Sequence, residues 1–272
     1  MRGAFNKILC LEEWERAQGL VTASAGNHGQ GVAMAGKKVG AKVTVFASEH
    51  AVQAKIEAMR ALGAQVILIP GGYGDAEKAG LEYAKTSGAV WISPYNDGQV
   101  IAGQGTLGRE IYRDLPPLRE STWVIPAGGG GLVSGIGAAL EDINPRPHLV
   151  AAQSEASPFL CSLFQHNTQD GVIELDSLAD GLAGPVEPGS LTIPLVRQYV
   201  DEFVLVSEIE IARAITFCWQ QYSEKIEGSA AAALAAVLFN KVRSRPAVVL
   251  ISGGNIQPEL HAQIINQVSW EA

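Results

Sequence analysis

The sequence predicts an α/β protein of two lobes, each built on an open parallel sheet. From residue 20 onward, short apolar runs alternate with amphipathic stretches, which is the rhythm of strand–helix–strand units with right-handed crossovers. Thirty glycines against five tryptophans are typical of a loop-rich α/β protein rather than a helical bundle. The 272 residues are 47% hydrophobic, which is enough for one large core or two modest ones.

The smaller lobe is predicted at residues 19–97. Its strands are the apolar runs "AKVTVFA", "AQVILIP" and "AVWISP". Between them lie two amphipathic helices, "VQAKIEAMRALG" and "DAEKAGLEYAKTSG". We expect the first helix to end at Gly63, because glycine readily adopts the left-handed conformation that closes a helix.

The larger lobe is predicted at residues 1–18 and 98–272. Its strands are "TWVIPA", "HLVAAQSE", "EFVLVS" and "AVVLISGGN", separated by the helices "GGGGLVSGIGAALEDI", "EIEIARAITFCWQQYSE" and "GSAAAALAAVLF". A stretch broken by glycine and proline, "CSLFQHNTQDGVIELDSLADGLAGPVEPGS", has little periodicity. Long irregular segments inside compact domains are usually functional, so we expect this one to serve a site.

Charge and composition exclude several classes of protein. A net charge of −8 argues against a nucleic-acid partner, because phosphates would be repelled. The three cysteines fit neither a disulfide framework nor zinc-ligand spacing, and the five histidines are equally scattered. The longest apolar helix is about half as long as a membrane span. These features predict a cytoplasmic protein with neither a membrane nor a nucleic-acid partner, and without a metal.

One glycine pattern suggests a dinucleotide site and is interpreted as a false match. "GQGTLG", Gly103 to Gly108, fits the GxGxxG pattern letter for letter. A Rossmann fingerprint also needs a buried strand before it and an acidic residue closing the next strand. Here "PYNDGQVIA" is a poor strand, and "TWVIPA" ends without a carboxylate.

A second glycine run predicts a phosphate site. In "PAGGGGLVSG", the residues Gly128, Gly129, Gly130 and Gly131 stand between an apolar strand and a helix. Consecutive uncovered backbone N–H groups at the positive end of a helix dipole suit a phosphate. A tight turn alone seldom needs four glycines. No Lys-Ser/Thr pair follows, so the run is not a nucleotide P-loop.

Two weaker turns follow other predicted strands. "TASAGNHGQG" places Ser24, Gly26, Asn27 and His28 before a helix, where they could hold a carboxylate or simply cap the helix. "LISGGN" ends a strand with Ser252 and a Gly-Gly turn, or is a plain loop. Together with the glycine runs, these turns predict a crevice along the carboxyl edges of the sheets.

The ordered set of motifs resembles the threonine and serine dehydratases. It comprises "RGAFNKI", "SAGNHGQG", "VIAGQGT", "GGGGLVSG", "SLADGLAG", "EGSAAAALAA" and "SGGN", and it covers essentially the whole chain. The resemblance implies pyridoxal 5′-phosphate as cofactor, the tryptophan-synthase-β fold class and a homo-oligomer. It also implies β-elimination of threonine or serine to a 2-oxo acid and ammonia.

The resemblance implies roles for the residues singled out above. Gly128 to Gly131 would wrap the cofactor phosphate, and Asn27 would hydrogen-bond the pyridine 3′-oxygen. The loop Ser24, Ala25, Gly26, Asn27 and His28 would bind the substrate carboxylate. Ser252 would meet the pyridine nitrogen. A serine hydroxyl cannot hold that nitrogen protonated as a carboxylate would, which favours prompt loss of a β-hydroxyl over long-lived carbanions.

The chain departs from the similar serine racemases at three positions. They carry a serine in place of Ala25 as the acid/base on the second face, so we do not expect racemisation. They also bind a divalent metal through a glutamate and an aspartate, where this chain has Gln153 and Phe159. Hard cations prefer charged oxygens, so no metal is expected there.

The position of the family's Schiff-base lysine leaves the activity open. In the family, "SFK" and one apolar residue precede the arginine of "RGA", so that lysine would stand immediately before Met1, and the large lobe would be incomplete. Lys7, Lys37, Lys38 and Lys42 are not expected to substitute, because a Schiff-base lysine must be buried near Cα. The alternatives are a binding protein without catalysis, a threonine synthase or a β-replacement synthase.

Overall fold

The computed structural model describes residues 1–242 and 246–270. Its contacts divide the chain into two compact units, Met1–Gln104 and Gly105–Ala272. The predicted lobes, residues 19–97 and residues 1–18 plus 98–272, stay predictions. No helix among residues 1–242 and 246–270 combines the length and apolarity needed to cross a bilayer.

The first unit is a four-stranded parallel sheet with its helices. The strands are β1 (Leu20–Ala23), β2 (Val43–Ser48), β3 (Gln65–Ile69) and β4 (Val90–Trp91), in the order β3-β2-β1-β4. The helices are α1 (Arg2–Cys10), α2 (Glu13–Ala17), α3 (Asn27–Val39), α4 (Gln53–Ala61), α5 (Tyr73–Ser87) and α6 (Gly98–Asp114), of which α6 runs past the unit boundary. Every residue of β1 is buried, as expected of a central parallel strand.

Close packing of α1 holds the start of the chain within the first unit. Ile8 is fully buried in a core cluster with Val32 of α3 and Val45 of β2. The Lys7 ammonium lies 2.8 Å from a carboxylate oxygen of Asp97. A Cβ on Gly3 would lie 2.7 Å from the Val100 carbonyl oxygen, so this approach requires glycine. These contacts fix α1 against its neighbours.

The second unit is another four-stranded parallel sheet. The strands are β5 (Thr122–Pro126), β6 (His148–Ser154), β7 (Glu202–Val206) and β8 (Ala247–Val249), in the order β7-β6-β5-β8. The helices are α7 (Gly131–Ala139), α8 (Phe159–His166), α9 (Thr192–Tyr199), α10 (Glu208–Tyr222), α11 (Gly228–Leu238) and α12 (Pro258–Gln267). Short 3-10 turns form at Pro116–Leu118 and Asp180–Leu182.

Helix α11 lies at the centre of the second core. Eight of its residues are buried, and all eight are alanine, glycine or serine. Its core cluster includes Val124 of β5, Val150 of β6 and Val206 of β7. Alanine is the best helix former and its small volume allows a close approach to a sheet, so this composition serves both needs.

Several sequence expectations can be compared directly with these elements. Gly63 follows α4 with φ +93°, which confirms its role as the helix-ending residue. Gly103 to Gly108 lie inside α6, so the Rossmann interpretation fails, as expected. Three predictions were wrong in extent. "AVWISP" forms a strand only at Val90–Trp91, and "AVVLISGGN" only at Ala247–Val249. The segment predicted to be irregular from Cys161 begins within α8.

Candidate functional site

The loop Ser24–Gly26 joins the carboxyl end of β1 to the start of α3. Ser24 is buried, and its Oγ accepts a hydrogen bond from the Gly26 N–H at 3.1 Å. Gly26 is the N-cap of α3 and carries no side-chain acceptor. The positive end of the helix dipole therefore faces this loop without a cap carboxylate, an arrangement that suits an anion.

A lysine that the sequence analysis did not single out adds positive charge to this loop. Lys55 on α4 has its Nζ 4.0 Å from the position that a Cβ on Gly26 would occupy. Ala25 is half-buried and Asn27 is exposed beside it. The only sequence signal for Lys55 is its place in the first turn of the helix after β2, which does not identify a partner.

His28 is held at the first turn of α3 by a backbone carbonyl. Its Nε2 lies 3.0 Å from the Ile92 oxygen, to which the Thr22 Oγ1 also donates at 2.8 Å. Burial lowers the pKa of His28 to about 4, although the bond to Ile92 opposes the shift. The imidazole is therefore neutral at pH 7 and donates through Nε2. Its predicted contact with a substrate carboxylate stays a prediction.

The four-glycine run joins β5 to α7, as the sequence predicted. A Cβ on Gly128 would lie 2.8 Å from the Leu182 Cα. Gly130 has φ +88°, and a Cβ there would lie 3.1 Å from side-chain carbons of both Thr192 and Val196. Gly128 therefore has no room for a side chain. Gly130 requires glycine both for space and for its positive φ.

The run also fits a phosphate. Helix α7 begins at Gly131, and no acidic residue occupies its first turn. In the next turn the Ser134 hydroxyl is fully buried and has no hydrogen-bond partner among the described residues. A buried hydroxyl of this kind is costly unless a polar group meets it. The N-terminus of α7 without a side-chain cap, the glycine run before it and the Ser134 hydroxyl together suit the phosphate of pyridoxal phosphate.

Ser252 lies at the same sheet edge as the glycine run. Strand β8 pairs in parallel with β5, so the loops that follow both strands leave from one edge. Ser252 is exposed, and the turn after it packs on the start of α11, where the Gly253 oxygen accepts from the Glu227 N–H at 3.2 Å. The predicted crevice residues of this unit are therefore neighbours in the sheet topology.

The two positions at which the racemases carry metal ligands have packing roles here. The Gln153 Oε1 accepts a hydrogen bond from the Cys161 N–H at 3.0 Å, which holds the first turn of α8. Phe159 is buried at the start of the same helix. Across residues 1–242 and 246–270, no group of three or more His, Cys, Asp or Glu side chains is placed to hold a metal. The absence of a metal at Gln153 stays a prediction.

The four lysines named above as alternatives to the Schiff-base lysine do not lie in a buried reactive site. Lys7 pairs with Asp97, and its side chain is 19% exposed. Lys37, Lys38 and Lys42 are exposed, as the sequence predicted. A Schiff-base lysine must be buried beside the reacting carbon, and neither an ion-paired lysine nor a lysine exposed to water meets that requirement.

Comparisons with known proteins agree with the fold and the motifs. The family model described as pyridoxal-phosphate dependent enzyme matches residues 1–253. The L-threonine ammonia-lyase of Thermotoga maritima is 44% identical over 269 residues, which are 98% of this chain. The chain spans 66% of that relative's length.

Two solved structures share the architecture across most of their length. The processed form of threonine deaminase isoform 2 from Solanum lycopersicum has a TM-score of 0.87 at 30% identity, covering 97% of this chain and 78% of that one. Maize serine racemase has a TM-score of 0.86 at 30% identity, covering 98% and 82%. The predicted fold class, two open parallel-sheet lobes of the tryptophan-synthase-β type, is confirmed.

Proposed function

The chain belongs to the family of pyridoxal-phosphate-dependent enzymes, and from that premise we propose that it converts threonine or serine to a 2-oxo acid and ammonia by β-elimination. The observation that carries the proposal is the glycine run between β5 and α7, which leaves the sheet from the same edge as the loop that holds Ser252. The 44% identity with a threonine ammonia-lyase supports the choice of reaction.

In this proposal Gly128 to Gly131 and the Ser134 hydroxyl would hold the cofactor phosphate. Bound pyridoxal phosphate supplies an electron sink for the electrons that remain at Cα when its proton leaves. Ser252 would offer a neutral hydroxyl to the pyridine nitrogen and would leave that nitrogen less positive than a carboxylate would. The resemblance also implies that Asn27 would donate its side-chain amide to the 3′-oxygen. A moderate electron sink favours loss of the β-hydroxyl over transamination.

The substrate carboxylate binds, in this proposal, at the loop Ser24 to His28. The N-terminus of α3 and the Lys55 ammonium supply positive charge on that side. Ala25 has a methyl group at the position where racemisation would need an acid or base to add a proton to the second face of Cα. The neutral His28 keeps the loop in place through Ile92 without adding a proton donor that titrates near pH 7.

The reaction is tested by product analysis on the purified protein, expressed with whatever residues its gene encodes before Met1. With pyridoxal phosphate and L-threonine or L-serine, we expect the 2-oxo acid and ammonia in equal amounts. Turnover of phosphohomoserine or O-acetylserine alone would instead assign a threonine synthase or a β-replacement synthase. Thermal stabilisation by pyridoxal phosphate without any product would assign a binding protein without catalysis.

Ala25 provides a second test through stereochemistry. We expect the protein to form no D-serine from L-serine, because the methyl group cannot move a proton. Ala25→Ser restores a hydroxyl at that position and is expected to give measurable D-serine, followed by chiral chromatography. Ala25→Val is the control, since it also enlarges the side chain without an ionisable group. Equal D-serine from both variants would contradict the assignment.

We also infer the cellular setting. Cys10, Cys161 and Cys218 are free thiols, which supports a reducing cytoplasm. The net charge of −8 argues against a nucleic-acid partner, and the resemblance implies a small amino-acid substrate. A homo-oligomer is expected from the resemblance, and size-exclusion chromatography with light scattering would test it.

A further inference from the structure

Residues 177–184, the segment "SLADGLAG", approach the glycine run through Leu182. Leu182 provides the backbone that approaches Gly128, at 2.8 Å from the position of a Gly128 Cβ. The Gly181 N–H donates to the Ser229 Oγ of α11 at 3.0 Å, and the Gly184 N–H donates to the Ser157 Oγ at 2.9 Å. The position of this segment therefore sets how much space Gly128 has.

One carboxylate fixes the beginning of the segment. Glu208 accepts a hydrogen bond from the Ser177 Oγ at 2.7 Å and from the Leu178 N–H at 2.6 Å. It also accepts from the Ser154 Oγ, at the end of β6, at 2.6 Å. Three donors from two separate parts of the chain thus meet at Glu208. Bonds to an ionised acceptor are roughly twice as strong as neutral ones.

Glu208 is not needed to cap its own helix. Glu210 does that, since its Oε2 accepts from the Ser207 N–H at 2.7 Å and the Ser207 Oγ accepts from the Glu210 N–H at 3.4 Å. Glu210 also pairs with Lys241 at 2.9 Å. Glu208 and Glu210, two positions apart on one helix, therefore have different partners. Substituting one or the other separates the stability of the helix from the placement of residues 177–184.

We propose that Glu208 is a positioning residue for the cofactor phosphate. Its carboxylate anchors Ser177 and Leu178, the anchored segment presents Leu182 to Gly128, and Gly128 begins the run that receives the phosphate. This inference rests on the proposed function, because it assigns the glycine run to pyridoxal phosphate. A supporting shell that fixes the groups touching a ligand commonly decides its affinity.

The test measures affinity apart from turnover. The dissociation constants of pyridoxal phosphate and of inorganic phosphate are measured by calorimetry, beside melting temperatures and the ³¹P resonance of the bound cofactor. Glu208→Ala is expected to weaken both ligands about tenfold and to shift the resonance, since it removes charge-assisted hydrogen bonds. Glu208→Gln should recover most of the affinity, because its amide can turn its oxygen to the Leu178 N–H and its NH2 to the two serines.

Glu210→Ala is the matched control. It is expected to lower the melting temperature through the lost cap, while ligand affinity and the ³¹P resonance stay those of the unsubstituted protein. Equal loss of affinity in both alanine variants, or none in Glu208→Ala, would overturn the positioning role. If the unsubstituted protein binds neither ligand, the proposed function itself fails and this inference fails with it.

Discussion

Replacing Gly128 with alanine is expected to weaken pyridoxal phosphate binding at least about 100-fold, if a clash of roughly 3 kcal/mol is taken up by the glycine run. The new Cβ would lie 2.8 Å from the Leu182 Cα and 3.1 Å from its carbonyl oxygen. Both are backbone atoms, so no side-chain rotation can relieve the contact. The segment or the run must shift, and either shift changes the spacing of the N–H groups. Calorimetric titration with pyridoxal phosphate measures the effect.

Gly137→Ala controls for general destabilisation in this experiment. Gly137 lies in the same helix as Gly131, α7, and an added Cβ would clash with the Tyr199 side chain. This clash also crowds a tightly packed glycine, although against a side chain rather than the backbone, and it lies at the far end of the helix from the glycine run. We expect a lower melting temperature with the affinity kept. Loss of affinity in Gly137→Ala as large as in Gly128→Ala would argue against a local phosphate site.

The protein is expected to lose up to about 3 kcal/mol of stability between pH 7 and pH 4 through His28 alone. Burial lowers the pKa of His28 from 6.5 to about 4 in the folded state. A histidine with a lowered folded pKa binds fewer protons when folded than when unfolded. Its contribution is therefore fully present above pH 6.5 and is lost as the pH falls towards 4.

Urea unfolding of the protein and of His28→Gln at pH 7 and pH 4.5 isolates this contribution from that of other groups. Gln keeps a donor for the Ile92 carbonyl but does not titrate. The His28→Gln variant should therefore lose less stability on acidification than the unsubstituted protein, by most of the roughly 3 kcal/mol assigned to His28. His166→Gln, at an exposed position, is the control and should behave like the unsubstituted protein. Equal acid sensitivity in all three would contradict the burial of a neutral His28.

Local patterns were enough to predict the parallel strands and the turns between them. The period of apolar residues and the glycine at Gly63 are local signals, and the structure bears them out. The strand "AVWISP" was predicted too long because β4 pairs only with β1, over Val90 and Trp91, so apolarity overstated its extent. Helix α8 was missed because the glycines and prolines that follow it dominate the segment.

Contacts between distant residues gave no signal in the sequence. Glu208 meets Ser154 and Ser177, which are 54 and 31 residues away, and no spacing rule relates them. Lys55 approaches Gly26 only because α4 and the loop after β1 share one end of the sheet. The role of the glycine run could be predicted from the chemistry of its residues. That Leu182 faces Gly128 could be learned only from the fold.

The composition of α11 has a consequence for how this protein can change over evolutionary time. Its buried positions, Gly228 to Ala233, Ala235 and Ala236, contain no side chain larger than that of serine. An added Cβ on Gly228 would already clash with the carbonyl of Leu178, which lies near the start of residues 177–184, the segment that Glu208 anchors. Drift in this helix is therefore confined to exchanges among the smallest residues. Larger changes need a compensating change in the opposing strand, so the helix and its strands must evolve together.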